Sequence, residues 1–414
     1  MEEYMKLLME QIRCKKAHPY IREELQGHIE EQIADNLLQG MSKEEAERMA
    51  VKDMGSPVEA GVALDRIHRP QIAWGMIALM ALISIMGIII HQVINIQIAR
   101  HPLTSEPIEE IAIGSYGFIN YTIIGFAVML LVYHIDYSVI ARFAKVIAAA
   151  IIGIGVYASM VGNVVAGMLY SVRILGISIS LYPLLLLYVP LYGAVIYQYH
   201  GMGYKALLKA IIWMLVPTML AFYLPNLPLA MLLMVSMSFV LTVAVWHGWF
   251  QVARKRTIII LWGCEVGLPI IGLTGAYLFQ LLAPYQIARL QAFLTNSGEA
   301  NFVTSRLREN LRGSQLLGNS GLEWVGHLPN YNSDYIFSYI VSNYGILFGA
   351  VVCCALAVLV ISIFNISFKQ KNQLGMCMGC GCGTIIFLNI VMNVLENIGI
   401  LPITQTFLPF FSTG

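Results

Sequence analysis

Charged residues are scarce in this chain of 414 residues, where Asp, Glu, Lys and Arg together make up 12%. An ordinary soluble domain carries about twice that share. The hydrophobic share is 58% and the mean hydropathy is +0.70, which excludes a soluble globular protein. The net charge of +1 leaves no basic surface of the kind that binds nucleic acid, so no nucleic-acid partner is expected.

Other common features are also missing. The seven cysteines show no paired placement that would predict a disulfide framework. The first seventy residues are charged rather than apolar, so no cleavable signal peptide is expected. Alternating segments of about ten residues are absent, which argues against a membrane β-barrel. Cys377, Cys380 and Cys382 stand among glycines in an apolar stretch, a pattern that favours close helix packing over a metal site.

Long apolar runs are what the chain does contain. They predict an all-α, polytopic helical membrane protein with about nine spans, in contact with membrane lipids. The predicted spans are 71–95, 114–133, 144–166, 181–199, 206–223, 227–249, 257–281, 335–365 and 376–398. Short-loop lysines and arginines fall on alternate loops, which predicts a cytoplasmic N-terminus and an outer position for the long loop 284–334.

Residues 1–69 form a separate predicted domain ahead of the membrane domain 70–414. Apolar residues recur every four positions from Ile21 to Leu37, which indicates an amphipathic helix. Ser42 and Glu45 have the spacing of a capping box at the start of the next helix. We expect a small cytosolic bundle of three or four helices. Its pattern, including Met54-Gly55-Ser56-Pro57, resembles the HAAS or permease-prefix domains, which implies a docking or regulatory module.

Three motifs stand in order in the last third of the chain. They read Leu328-Pro329 with Ser333-Asp334-Tyr335-Ile336-Phe337 and Gly345, then Asn393 through Leu401-Pro402-Ile403-Thr404, then Pro409-Phe410-Phe411-Ser412-Thr413-Gly414. These motifs resemble those of the SEDS family of shape, elongation, division and sporulation proteins (FtsW, RodA and SpoVE). The resemblance covers 284–414 well and the earlier spans by topology alone. The family has ten spans, so the tenth is missing here, and we expect the sequence to be truncated.

The resemblance implies a cell-wall enzyme of the bacterial plasma membrane: a peptidoglycan glycosyltransferase that polymerises lipid II and releases undecaprenyl pyrophosphate. Its expected partner is a class B penicillin-binding protein, a transpeptidase. Aligning Phe293-Leu294 with the family pattern makes Glu299 the catalytic carboxylate, with Asp334 as a second candidate. Predicted substrate-binding residues are Arg173, Arg306, Arg308, Arg312, Ser333 and Ser412. No resident cofactor is expected, and a divalent cation at the pyrophosphate is left open.

Several departures from the family pattern keep alternatives open. The family's Gln-Pro-Ser-Glu-x-x-Lys in the fourth span reads Tyr182 to Tyr188 here, so its acid and lysine are both absent. The outer turn 224–228 has Asn226 in place of an aspartate. A non-catalytic SEDS-like scaffold, or a binder or transporter of lipid-linked precursor, is therefore an alternative to the enzyme.

Two acids lie inside predicted spans, Glu265 in the seventh and Glu396 near the outer end of the ninth. Ionisable groups at such depth are functional candidates, since burial of a charge in lipid is costly. For Asp334, a purely structural role at the start of a helix is an equal alternative to a site role. His91 has no partner at ligand spacing, and we expect it to lie at a membrane interface.

Overall fold

The structure is a computed structural model that describes most of the chain. The described residues are 2–12, 18–68, 73–100, 108–134, 137–165, 168–174, 176–280, 287, 302–321, 332–370, 372–401, 404 and 406–413. Two compact units divide the chain, Met1–Gly75 and Met76–Gly414. Each has its own hydrophobic core, so each is described by itself.

The described part of the N-terminal unit contains four helices. They are α1 (Glu2–Glu10), α2 (His18–Leu38), α3 (Lys43–Asp53) and α4 (Pro57–His68). Leu8, Ile29 and Ala50 are fully buried at the centre. The predicted cap is confirmed, because the Ser42 hydroxyl accepts a hydrogen bond from the Glu45 backbone N–H at 3.3 Å. Leu37 departs from the predicted apolar face and is exposed.

The second unit is a helical membrane domain. Its described helices are α5 (Trp74–Arg100), α6 (Ile108–His134), α7 (Tyr137–Val161), α8 (Leu181–Leu186), α9 (Tyr188–Tyr197), α10 (Tyr204–Tyr223), α11 (Leu227–Trp246), α12 (Arg254–Leu278), α13 (Phe302–Gly313), α14 (Ile336–Tyr344), α15 (Ile346–Phe368) and α16 (Gln373–Asn397). Within the described residues, seven helices are long and apolar enough to cross a membrane. They are α5, α6, α7, α10, α11, α15 and α16, and they correspond to seven of the nine predicted spans.

The predicted span 335–365 is wrong as a single helix. Gly345 has φ +95° and ends α14, and a new helix begins at Ile346. The first residues of the new helix pair with a segment that precedes α14 in the chain. The Ile346 and Leu347 N–H groups donate to the carbonyls of Gln315 and Leu316 at 3.0 and 3.1 Å. A Cβ at Gly345 would lie 2.6 Å from the Leu316 oxygen. Glycine is therefore required both by the backbone angle and by the close approach.

The regions around the third and fourth predicted spans also differ from expectation. α7 ends at Val161, and the chain then forms a three-stranded antiparallel sheet of β1 (Asn163–Val165), β2 (Met168–Ile174) and β3 (Ile177–Ser180). The expected helix 181–199 is interrupted at Leu187, which separates α8 from α9. The helical fold class is confirmed, with this small sheet as an addition that the apolar pattern did not predict.

α9, α11 and α16 form the centre of the larger hydrophobic core. Small residues permit this packing, as the cysteine- and glycine-rich pattern predicted. A Cβ at Gly193 would lie 3.3 Å from the Cys377 backbone, and one at Gly381 would lie 3.4 Å from the Val189 carbonyl. The close approach places one face of α16 against α9, and its C-terminal end carries the polar residues of the candidate site.

Candidate active site

Two asparagines near the end of α16 organise a buried polar cluster. Asn393 and Asn397 are four residues apart, so their side chains lie on one face of the helix. Both Nδ2 atoms donate to the Asp334 backbone carbonyl at 2.9 Å. Asn393 also donates to the Thr406 carbonyl at 2.7 Å. The two amides therefore join the turn before α14 to the tail after α16.

The same amides fix the start of α14. The Ser338 N–H donates to Asn397 Oδ1 at 2.9 Å, and the Ser338 hydroxyl donates to the Asn397 carbonyl at 3.1 Å. Asn393, Asn397 and Ser338 are almost completely buried. Hydrogen bonds in such surroundings specify one arrangement, because breaking them leaves buried groups without water.

Glu396 lies in this cluster and is 1% exposed. Its carboxylate accepts a hydrogen bond from the Thr404 hydroxyl, and the hydroxyls of Thr404 and Thr406 are 3.1 Å apart. The phenols of Tyr182 and Tyr335 both interact electrostatically with Asp334 and Glu396. The structure thus brings the predicted residues Asp334 and Glu396 into one polar site.

Tyr335, which precedes α14, has its pKa raised by burial and further by the nearby carboxylates of Glu396 and Asp334. The phenol therefore stays protonated at neutral pH and can donate a hydrogen bond. Tyr182 adds a second hydroxyl, which donates to Asn389 Oδ1 at 2.8 Å. Two neutral phenols beside two acids make this site rich in oriented O–H groups.

The other two predicted residues of the motifs meet next to Asp334. The Ser412 hydroxyl donates to the Ser333 carbonyl at 2.7 Å and accepts from the Leu408 N–H at 2.7 Å. The Ser333 hydroxyl points at Asp334 Oδ1 at 3.4 Å. Asp334 itself is 9% exposed. Tyr335 is the N-cap residue of α14 and its side chain forms no capping hydrogen bond, so Asp334 lies one position before the cap.

The tail is also held by a residue that the sequence did not assign to the site. His91 on α5 is buried, and its Nε2 donates to the Phe411 carbonyl at 2.6 Å. Its ring lies 3.9 Å from that of Phe118 on α6, centroid to centroid. Sequence spacing gave no signal for this contact, because the two partners are 320 positions apart.

The three predicted arginines on α13 have different surroundings. Arg308 is half-buried, and its Nε donates to the Gly399 carbonyl at 2.7 Å, just beyond the C-terminal end of α16. Arg306 forms an ion pair with Glu309 at 2.9 Å on the surface. Arg312 is exposed in the last turn. The helical spacing inferred for this segment is confirmed by α13.

Replacing Arg308 with glutamine should lower the thermal unfolding midpoint of the detergent-solubilised protein. The guanidinium donates a charge-assisted bond next to the negative end of a helix, and such bonds contribute about 1.5–3 kcal/mol when well shielded. Arg306→Gln is the matched control on the same helix, because an exposed ion pair contributes about 0–1 kcal/mol. Equal midpoints for the two variants would show that the Gly399 contact does not stabilise the fold.

The remaining predicted residues lie elsewhere. Glu299 lies outside the described residues. Arg173 is exposed on β2, opposite Ser178 of β3. Glu265 is buried on α12, which packs against α11, and among the hydrogen bonds of the described cluster none involves it.

The positions that differ from the family pattern hold uncharged residues that are either packed in the core or hydrogen-bonded. Leu185, at the position of the family's acid, is completely buried. Tyr188, at the position of its lysine, donates its hydroxyl to the Trp213 carbonyl at 2.8 Å. Asn226 in the outer turn caps α11, since its Oδ1 accepts from the Leu229 N–H at 3.0 Å. A buried leucine, a hydrogen-bonded tyrosine and a helix-capping asparagine thus stand where the family pattern has charged residues.

Comparison with known proteins gives matches across this membrane domain. The family model for FtsW, RodA and SpoVE, described as "Cell cycle protein", matches residues 73–414. A probable peptidoglycan glycosyltransferase FtsW from Enterococcus hirae is 37% identical over 98 residues, 24% of each chain. One from Wigglesworthia glossinidia brevipalpis is 32% identical over 166 residues, which cover 37% of this chain and 42% of the relative. These matched segments span less than half the length of the curated relatives.

Solved structures share the fold at low sequence identity. A chain of a peptidoglycan synthase complex, described as coordinating polymerization and crosslinking, aligns with a TM-score of 0.65 and 16% identity, covering 83% of this chain and 93% of that one. The rod shape determining protein RodA of Thermus thermophilus aligns with a TM-score of 0.55 and 16% identity, covering 82% and 90%. The resemblance inferred from the three motifs is confirmed. Because the family model covers most of the chain, this protein belongs to the FtsW/RodA/SpoVE (SEDS) family of multi-span membrane proteins.

Proposed function

We propose that this protein is a peptidoglycan glycosyltransferase that polymerises lipid II. One observation carries the proposal: Ser333 and Asp334 from the first motif and Ser412 from the third meet at one buried polar cluster with Glu396. Two curated relatives that match segments of this chain are named as probable peptidoglycan glycosyltransferases. A cluster of acids and hydroxyls at the end of a membrane helix suits a substrate with a lipid tail and a sugar head.

The proposed reaction joins two disaccharide units. A sugar hydroxyl of one substrate attacks the anomeric carbon of the other, the new glycosidic bond forms, and undecaprenyl pyrophosphate leaves with the bonding electron pair. A carboxylate accepts the hydroxyl proton as the bond forms. We assign this role to Glu299, with Asp334 as the second candidate. Cationic side chains compensate the charge on the departing pyrophosphate, and Arg312 and Arg173 are exposed and can contact it.

The proposed setting is the bacterial plasma membrane, with the N-terminal unit and the basic loops in the cytoplasm. The site then faces the outer leaflet, where the long loop 284–334 lies. We also propose a class B penicillin-binding protein as partner, a transpeptidase that links the new strands. The synthase complex with the same fold, described as coordinating polymerization with crosslinking, supports such a pairing.

The test uses the purified full chain with fluorescent lipid II, comparing the wild type with Glu299→Gln. The wild type should produce glycan ladders on a gel, and the glutamine variant should lose about 10²–10⁴-fold in rate, the usual contribution of a general base. Glu44→Gln, an exposed acid of α3 in the N-terminal unit, is the control and should keep the wild-type rate. Equal product from both Glu299 forms would remove Glu299 as the base.

A second candidate is a non-catalytic binder of lipid-linked precursor. The observation that favours it is the neutral packing of Leu185 and the hydrogen-bonded phenol of Tyr188, where family members carry an acid and a lysine. A binder would retain fluorescent lipid II in a pull-down yet form no glycan under any condition of the same assay. That result would end the enzyme proposal.

A further inference from the structure

One buried acid of the membrane domain takes no part in the candidate active site. Glu265 lies near the middle of α12, in the predicted span 257–281, and is 8% exposed. Neither oxygen of its carboxyl group has a hydrogen-bond partner among the described residues. It is also the one acidic residue between positions 137 and 280. A charged carboxylate without a partner at such a depth is costly, so this residue needs an explanation.

The helix that packs against α12 presents hydroxyl groups to this acid. Ser238 and Thr242 are four residues apart on α11 and share one face. Trp262, one turn before Glu265, donates from its Nε1 to the Thr242 hydroxyl at 3.0 Å. The Ser238 hydroxyl interacts with the Glu265 carboxyl group. The two helices therefore meet along a short polar stripe that includes Glu265.

The hydroxyl hydrogens of this stripe are already in use. The Ser238 hydroxyl donates its one hydrogen to Met214 Sδ on α10 at 3.4 Å, and the Thr242 hydroxyl donates to the Ser238 carbonyl at 2.7 Å. Ser238 Oγ therefore offers Glu265 a lone pair but no hydrogen. An ionised carboxylate can only accept hydrogen bonds, whereas a protonated carboxyl group can donate one. The surroundings thus match the protonated form.

Glu265 also stands where α12 leaves the rest of the described protein. Leu261, one turn earlier, packs against the larger hydrophobic core, whereas Ile270 and Ile271 are 60% and 69% exposed. Among the α12 side chains that the structure describes, Glu265 is the last buried one. Pro269 lacks the N–H that would bond to the Glu265 carbonyl, so the helix is weakened at this turn.

We propose that Glu265 is a proton-binding site that fastens α12 to α11. The protonated carboxyl group donates to Ser238 Oγ, and loss of the proton leaves a charge in an apolar contact and releases the helix at this point. The site shares no residue with the proposed glycan chemistry, so either proposal can fail without the other.

The titratable groups around Glu265 leave it as the one group that sets this pH dependence. α11 has no titratable side chain from Leu227 to Trp246. The lysines and arginines of the adjacent helices stand near the N-terminal ends of those helices, at Lys205 and Lys209 on α10 and at 254–256 on α12. On α12 itself, the titratable neighbour is Cys264, which is exposed.

The experiment uses the full chain in lipid nanodiscs from mildly acidic to alkaline pH. Dicyclohexylcarbodiimide dissolves in the bilayer and reacts with protonated carboxyl groups: the carboxyl proton passes to a carbodiimide nitrogen, and the carboxyl oxygen bonds to the central carbon. Peptide mass spectrometry locates the adduct. Hydrogen–deuterium exchange of α12 is measured in parallel for the wild type and Glu265→Gln, since their ratio at each pH removes the intrinsic pH dependence of exchange.

We expect the wild type to be labelled at Glu265 and the glutamine variant not to be. Above the titration, labelling should fall about tenfold per pH unit, as the protonated fraction does. Over the same range α12 should exchange faster in the wild type than in Glu265→Gln, because the neutral glutamine amide still donates to Ser238. Absence of label at every pH, label that does not change with pH, or equal exchange in both forms throughout would overturn the proposal.

Two serines of α11 provide a matched pair of variants. Ser238 and Ser236 are both completely buried, but the Ser236 hydroxyl has no hydrogen-bond partner among the described residues. Ser238→Ala should speed exchange of α12 at low pH, because it removes the acceptor of the Glu265 proton, and Ser236→Ala should match the wild type. Equal exchange in the two alanine variants would rule out the Ser238 contact as the fastening point.

Discussion

Replacing Asp334 with asparagine is expected to lower the rate of glycan formation by about 10²–10⁴-fold, the range for loss of a catalytic carboxylate. The substitution is expected to leave the fold intact, because the hydrogen bonds that hold residue 334 in place are made to its backbone. Asn393 and Asn397 hold the backbone carbonyl of Asp334, and that carbonyl is present in every variant. The side-chain contact from Ser333 can be accepted by an asparagine oxygen as well. The measurement is the initial rate with fluorescent lipid II, taken with the thermal unfolding midpoint.

Ser333→Ala serves as the comparison for Asp334→Asn. It removes the long 3.4 Å contact to the carboxylate but leaves the Ser333 carbonyl, which accepts from Ser412. We expect a smaller loss of rate for this variant than for Asp334→Asn. A wild-type rate in Asp334→Asn would assign Asp334 a structural role only and leave Glu299 as the one proposed catalytic carboxylate.

Replacing Asn397 with alanine is expected to cost about 2–4 kcal/mol of unfolding free energy and to abolish activity. The Asn397 amide serves Asp334, Asn393 and Ser338. Its loss leaves the buried Ser338 N–H without its acceptor, at roughly 1–3 kcal/mol, and removes one of the two amide donors to the Asp334 carbonyl. The measurement is the thermal unfolding midpoint and the yield of folded protein in detergent.

The matched control is Asn343→Ala on α14. Asn343 donates to the Tyr339 carbonyl of its own helix at 3.1 Å and is only half-buried, so its removal should shift the midpoint little. If Asn343→Ala and Asn397→Ala destabilise equally, the amide network at the end of α16 is not what holds the site together.

Much of the fold follows from local sequence. Apolar runs of about twenty residues predict membrane helices because the bilayer requires that length, and the Ser42 cap follows from the chemistry of one helix end. The break at Gly345 does not follow in this way. Ser342, Asn343 and Tyr344 precede Gly345 and an apolar run follows it. The residues around Gly345 pair with residues 315–320, a tertiary contact that no local pattern reveals.

The candidate site was likewise predictable from the sequence only in part. Motifs identified Asp334, Ser333 and Ser412, and depth in a span identified Glu396. The sequence did not show how these residues meet. The Asn393 and Asn397 amides donate to the Asp334 carbonyl, which is 59 and 63 positions away in the chain. Tyr182 was noted only as a departure from the family pattern, yet its phenol lies near both acids. Long-range hydrogen bonds of this kind have no periodicity to detect.

The contact between His91 and the Phe411 carbonyl has a consequence for biosynthesis. A ribosome that adds about 5–20 residues per second needs roughly 15–60 s to travel from one partner to the other. During that interval the first membrane helix is already made while the tail segment that His91 contacts is not. A nascent chain therefore has no complete polar cluster, and the proposed glycan chemistry cannot begin in a protein whose synthesis is still under way.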